Sequence, residues 1–144
     1  MEPRVSLITI GVKDMKRARS FYDALGWRAA SGKEREADIV CYDLPGMALA
    51  LHPWEMLAAD ANVPMERSGY SAITLAHNVR SAAEVDKTLD LARKAGGRIV
   101  KPAAQTHWGG YSGYFADPDG QLWEIAYNPF SPLGPEGQFQ WNGA

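Results

Sequence analysis

The sequence predicts an α+β domain in which one unit, a strand, a helix and then two or three strands, occurs twice. Three observations carry this prediction. β-branched runs and a single amphipathic helical stretch alternate in each half, the two halves hold them in the same order, and turn chemistry falls at matching places. The length of 144 residues fits one ordinary domain. A hydrophobic fraction of 46% beside 22% charged residues supplies a core and a solvated surface, as in soluble globular proteins.

In the first half, Val5–Val12 is β-branched and imperfectly alternating, which suits a strand. Asp14 follows as a helix N-cap, Met15, Ala18, Tyr22 and Leu25 fall on one helical face, and Gly26 supplies the stop. Trp27–Ala30 is read as a short strand. Ala37–Leu44 and Met47–His52 are strands joined by the turn residues Pro45–Gly46.

The second half repeats this order. Tyr70–Val79 is strand-like, and Ser81-Ala82-Ala83-Glu84 forms a capping box. Val85, Leu89 and Ala92 mark the buried stripe of the helix, which Gly96–Gly97 ends. Arg98–Lys101, Gly110–Ala116 and Gln121–Tyr127 are read as strands. Asp117-Pro118-Asp119-Gly120 joins the last two, and both aspartates are assigned to that turn.

Two registers relate the halves. The caps Asp14 and Ser81 stand 67 residues apart, which pairs Val12 with Val79, and the turn glycines Gly46 and Gly120 stand 74 apart. The expected organisation is one domain over 1–129, with module one at about 4–53, a linker at 54–69 and module two at about 70–129. Within the linker, Trp54–Asp60 is a candidate short helix. The Pro- and Gly-rich tail at 130–144 is expected to be irregular: either Phe130, Phe139 and Trp141 anchor it against the body or a neighbouring subunit, or the tail is disordered.

Composition also narrows the function. A formal net charge of −2 with interspersed signs gives no footprint for nucleic acid or an anionic membrane. No apolar run reaches spanning length, and the opening MEPRVSLITI lacks the apolar core of a secretory signal. Cys41, the single cysteine, cannot form an internal disulfide; it is expected to pack in its strand, and the setting to be reducing and cytoplasmic.

The segment Trp108–Pro129, W-G-G-Y-S-G-Y-F-A-D-P-D-G-Q-L-W-E-I-A-Y-N-P, resembles the closing strands of vicinal-oxygen-chelate proteins, the glyoxalase/bleomycin-resistance/dioxygenase superfamily. The opening I-G-V-K-D-M-K-R-A-R-S-F-Y-D-A-L-G-W resembles the first strand and helix of the same family. The resemblance covers roughly residues 5–129. It implies two βαβββ modules forming a curved mixed sheet around a cleft, with the helices on the convex side. By alternation, Leu7, Thr9 and Gly11 then face the cleft on the first strand, and Leu122, Glu124 and Ala126 on the last.

Metal-dependent relatives place His, Glu or Gln at up to four cleft positions. The resemblance puts these at Leu7, Ala50, Thr74 and Glu124, so one ligand of four is present. The expectation is therefore a cleft with no metal and no cofactor. The alternative is a divalent ion held by His52, His107 and Glu124, with His52 two residues beyond Ala50 on the same predicted face. The more ordinary readings leave His52 at a strand end and His107 in a loop. His77 is placed on the helix side as a structural residue.

The resulting expectation is a small-molecule binder comparable to the drug-sequestering bleomycin-resistance proteins, forming a homodimer. Its ligand contacts would come from Leu7, Thr9, Ala50, His52, Thr74, Trp108, Tyr111, Tyr114 and Glu124, with the three aromatics as pocket walls. The alternative is a lyase, isomerase or dioxygenase-type enzyme using Glu124 as general base or as part of an unorthodox metal site. Glu124 as a carboxylate hydrogen-bonded to a neighbour, with no role in chemistry, stays open beside both.

Overall fold

The computed structural model describes residues 1, 3, 5–30, 38–66, 69 and 71–141. Ala37 and Tyr70, the first residues of two expected strands, lie outside these residues, as do parts of the linker and the tail. The elements run β1 (Leu7–Val12), α1 (Met15–Ala24), β2 (Val40–Leu44), β3 (Met47–Pro53), α2 (Trp54–Asp60), β4 (Leu75–Asn78), α3 (Ala82–Lys94), β5 (Arg98–Gln105), β6 (Tyr111–Ala116) and β7 (Leu122–Tyr127). The chain divides into two compact units, Met1–Ser71 and Ala72–Ala144.

The first unit holds a three-stranded sheet of order β1-β3-β2, with β1 and β3 parallel and β2 and β3 antiparallel. Asp14 caps α1 through its carboxylate, which accepts from the Arg17 amide at 2.9 Å. The helix ends in a Schellman motif: Trp27 N–H donates to the Tyr22 carbonyl at 3.2 Å and Gly26 N–H to the Asp23 carbonyl at 3.0 Å. That motif needs a left-handed residue at its turn, and Gly26 supplies it with φ 93°.

Chain exit and core then merge. The Trp27 ring lies 5.5 Å from Tyr22 and 5.6 Å from Tyr42, centroid to centroid, and Tyr22 and Tyr42 are fully buried. This packing explains why Trp27–Ala30 is not the strand expected from its sequence. One trace of pairing remains, the Ala30 N–H donating to the Cys41 carbonyl at 2.7 Å.

The second unit holds a four-stranded sheet of order β4-β7-β6-β5, with β4 and β7 parallel and the other pairs antiparallel. Ser81 caps α3, its Oγ accepting from the Glu84 amide at 3.3 Å. The returning Glu84 carboxylate accepts from the Arg80 amide at 2.9 Å, one residue earlier than a capping box requires. The helix ends as α1 does: Gly97 N–H donates to the Ala92 carbonyl at 2.9 Å and Gly96 N–H to Arg93 at 3.1 Å. The buried stripe is Val85, Leu89 and Ala92, as the spacing predicts.

The duplicated order is visible in the pairing itself. Thr9 lies opposite Ala50 in the first parallel pair, and Ala76 opposite Glu124 in the second. Thr9 and Ala76 are 67 residues apart, and Ala50 and Glu124 are 74 apart, the same two offsets that relate the caps and the turns. The Asp117–Gly120 turn is built as expected: the buried Asp117 carboxylate accepts from the Asp119 and Gln121 amides at 2.9 and 2.8 Å.

The largest differences from the expected strand lengths are in β4 and β5. Tyr70–Val79 contracts to β4, because a parallel edge strand extends only as far as its partner β7 pairs with it. Of the described residues of Ala37–Leu44, Asp38 and Ile39 stay outside β2. Arg98–Lys101 lengthens into β5, which carries two register shifts, between Ile99 and Lys101 and between Lys101 and Ala104. Pro102 lies within this irregular edge strand, where a missing N–H breaks no ladder bond.

The described residues of the tail form no regular element, as expected, but polar contacts hold them. The Arg80 guanidinium donates to the Leu133, Gly134 and Pro135 carbonyls at 3.1, 2.6 and 3.3 Å, and the Ser131 hydroxyl to the Trp141 carbonyl at 2.5 Å. Phe130 and Trp141, 68% and 78% exposed, are therefore not the buried anchors their hydrophobicity suggests.

Candidate ligand site

Each sheet has a face that its own helix covers and a face that it does not. In the second unit, a Cβ on Gly113 would stand 2.7 Å from Leu89 Cδ1, so α3 presses directly on β6 there. Alternation puts Tyr111, Gly113 and Phe115 on that helix side. The registered partners Trp123 and Ile125 join them, Phe115 and Trp123 stacking at 6.3 Å.

The helix-free face follows from the same registers. Its central row runs Ala76, Glu124, Tyr114, Lys101 across β4, β7, β6 and β5. The next rows bring Asn78, Ala126, Ser112 and Ala104 on one side and Leu122, Ala116 and Arg98 on the other. Five of these eleven residues are alanine or serine, and Ser112, Ala116 and Ala126 among them are buried, while the Glu124 carboxylate and the Tyr114 ring are half-buried. The Lys101 ammonium lies 5.7 Å from the centre of the Tyr114 ring, within cation–π range. Among the described residues, none makes a hydrogen bond or ion pair with the Glu124 carboxylate. Its chemistry is that of an acceptor: it can bind a cation or a donor, or take a proton from a substrate carbon or hydroxyl.

In the first unit, Thr9 on β1, Ala50 on β3 and Cys41 on β2 form the corresponding row. Leu7 sits opposite Ala48 and Gly11 opposite His52, which places Leu7, Thr9, Gly11, Ala50 and His52 on one face, as the sequence predicts. Leu7 is exposed and Ala50 fully buried. At one end of this face α2 closes over Gly11, where an added Cβ would lie 3.1 Å from Trp54 Cβ.

The remaining sequence candidates fall differently. Tyr111 points to the helix side and donates its hydroxyl to Asp86 of α3 at 3.0 Å, a bond that raises its phenol above the usual range. Tyr111 and Tyr114 are three residues apart, so one strand cannot present both on one face. Trp108 sits in the β5–β6 loop with its ring laid over Gly110, a position that a Cβ would fill, and His107 is exposed beside it. Thr74 is exposed just before β4. His52 has both ring nitrogens engaged, Nδ1 with the Asp38 carbonyl and Nε2 with the Asp60 carboxylate at 3.2 Å. Lys101 is the site residue that sequence reasoning missed, because the register shifts of β5 break the alternation that would have pointed to it.

The residues present do not fit the metal centre of the family pattern. Leu7 and Ala50 carry no donor atom, and Thr74 offers a single neutral hydroxyl. Among the described residues, no three His, Cys, Asp or Glu side chains gather as metal ligands would.

The profile of the Glyoxalase/Bleomycin resistance protein/Dioxygenase superfamily matches residues 4–125. Among solved structures, a glyoxalase-related enzyme from Fulvimarina pelagi is 35% identical, with a TM-score of 0.88 over 96% of this chain and 98% of that one. A glyoxalase/bleomycin resistance protein/dioxygenase family enzyme from Burkholderia phytofirmans PsJN is 22% identical, with a TM-score of 0.72 over 85% and 96%. A lactoylglutathione lyase from Agrobacterium tumefaciens is also 22% identical, with a TM-score of 0.65 over 88% and 94%. The last two likenesses concern the fold alone. No curated protein matches the sequence. The matched residues take in both units, and the chain belongs to the glyoxalase/bleomycin resistance protein/dioxygenase superfamily.

Proposed function

We propose that this protein binds a small organic molecule on the helix-free face of its second sheet, with Glu124 as the polar anchor and no resident metal. The observation that carries this reading is the half-buried Glu124 carboxylate, beside the Tyr114 ring and without a partner for its charge among the described residues. Thr9, Ala50 and His52 share one face of the first unit's own sheet and stay candidate ligand contacts of that unit. Leu7 and Thr74 remain candidates at the strand edges. The proposal includes a homodimer in the cytoplasm. It is supported by β1 and β4, each an edge strand of its sheet, with the exposed Leu7 on β1 and Ile73 just before β4. Among the described residues no helix is long and apolar enough to cross a membrane.

The second reading is an enzyme of lyase or isomerase type with Glu124 as general base. It is favoured by the relative from Fulvimarina pelagi, described as a glyoxalase-related enzyme and 35% identical. A carboxylate without a protein partner is free to accept a substrate proton. Ligand screening by thermal shift, followed by turnover assays on the hits, separates the two. The enzyme reading expects Glu124→Gln to abolish turnover while binding stays measurable. The binding reading expects no turnover and a Glu124→Gln variant that changes affinity alone. If no compound shifts the melting temperature of the wild type, the binding reading fails.

A further inference from the structure

The charge pattern of the helix-free face narrows the ligand class. Glu124 lies on β7, an inner strand, and among the described residues of the four strands it is the one acid on that face. The cations lie at the other side. Lys101 and Arg98 are both on β5, the edge strand, Lys101 opposite Tyr114 and Arg98 opposite Ala116. Two strand spacings, roughly 10 Å between backbones, separate the acid from this basic edge. Neither Lys101 nor Arg98 forms an ion pair with Glu124; the tyrosine ring stands between the charges.

A lysine side chain has the length to turn toward an acid two strands away, but an exposed ion pair gains little from doing so. Here the register shifts in β5 aim Lys101 at the ring face of Tyr114 instead. The result is a carboxylate, an apolar plate and an ammonium in line. We propose that the site takes a zwitterion: a small molecule with an ammonium at one end, a carboxylate at the other and a short apolar spacer. Its ammonium pairs with Glu124, its spacer lies on Tyr114, and its carboxylate meets Lys101, with Arg98 one row away. Both charged ends gain partners that neither end of a singly charged analogue can gain together. This inference rests on the ligand-binding reading and adds the class of ligand.

Three probes of one length test it: 6-aminohexanoate, hexylammonium and hexanoate, titrated calorimetrically into the full-length protein and into Glu124→Gln and Lys101→Gln. Thermal melts of the variants confirm that they fold. The expected result is that 6-aminohexanoate binds at least tenfold tighter than either analogue. Glu124→Gln should remove its advantage over hexanoate, and Lys101→Gln its advantage over hexylammonium. Equal affinity for hexylammonium and the zwitterion, unchanged in Lys101→Gln, overturns the zwitterion inference and leaves Glu124 as a ligand anchor. Binding of none of the three also overturns it; the broader reading then falls only if the thermal-shift screen yields no ligand either.

Discussion

At the scale of the residue, single side chains set both the core and the site. Tyr42 is buried and donates its hydroxyl to Asp23 at 3.2 Å; burial, then the Asp23 charge, raises its phenol above the ordinary value. A folded-state value above the unfolded one means that this stabilisation is complete below pH about 10 and is lost as pH rises further. Tyr42→Phe should therefore cost about 1–2 kcal/mol at neutral pH, and the gap from wild type should narrow above pH about 10 in chemical denaturation. A gap that stays constant to pH 11 would remove Tyr42 from the account. Gly113 is the second such residue. A methyl there would stand 2.7 Å from Leu89, 2.8 Å from the Ala103 amide nitrogen and 2.9 Å from the Lys101 carbonyl oxygen. Two of those neighbours are backbone, so Gly113→Ala should lower stability by about 1–3 kcal/mol, measured in urea, despite the better strand propensity of alanine. Metal binding is tested at the same scale. Titration with zinc, nickel, manganese or iron(II) should show no tight stoichiometric site, and stoichiometric binding lost in Glu124→Ala would overturn that expectation.

At the scale of the element, the parts governed by local chemistry were legible in the sequence and the parts governed by partners were not. Asp14, Ser81, Gly26 and Gly96 announced both helices because caps act within a few residues. Asp117–Gly120 announced its turn for the same reason. The length of β4 was hidden because β7 decides it, and the fate of Trp27 was hidden because Tyr22 and Tyr42 claim its ring. Of the helix-free face, the place of Glu124 was readable from motif and alternation. Tyr111 was misjudged by overlooking that alternation, and Lys101 was beyond it because bulges reset the count. The tail clasp was equally unreadable, since Arg80 acts 53 to 55 residues from its partners. Arg80→Met should speed proteolytic cleavage within residues 131–141 several-fold while changing global stability by about 1 kcal/mol. An unchanged cleavage rate would show that other contacts hold the tail.

At the scale of the whole molecule, the repeated unit explains an asymmetry between the edges of its sheets. The outer strand β5 is blunted by two register shifts and Pro102, and Ala30 meets the edge of β2. Among the described residues β1 and β4 carry no such device, and they are the first strands of their units. Sedimentation equilibrium should return twice the chain mass, and Leu7→Lys or Ile73→Lys should shift it toward the single-chain mass. A monomer in the wild type at micromolar concentration would end the homodimer proposal.

The Arg80 clasp also bears on how the chain is made. Every strand of the first sheet has left the ribosome once Pro53 has emerged, so that sheet can close early. Arg80 emerges soon after and must wait for Leu133, Gly134 and Pro135, which are among the later residues synthesised. Until they arrive, its guanidinium stays in water, and the second unit passes through synthesis with its last fastening still undone.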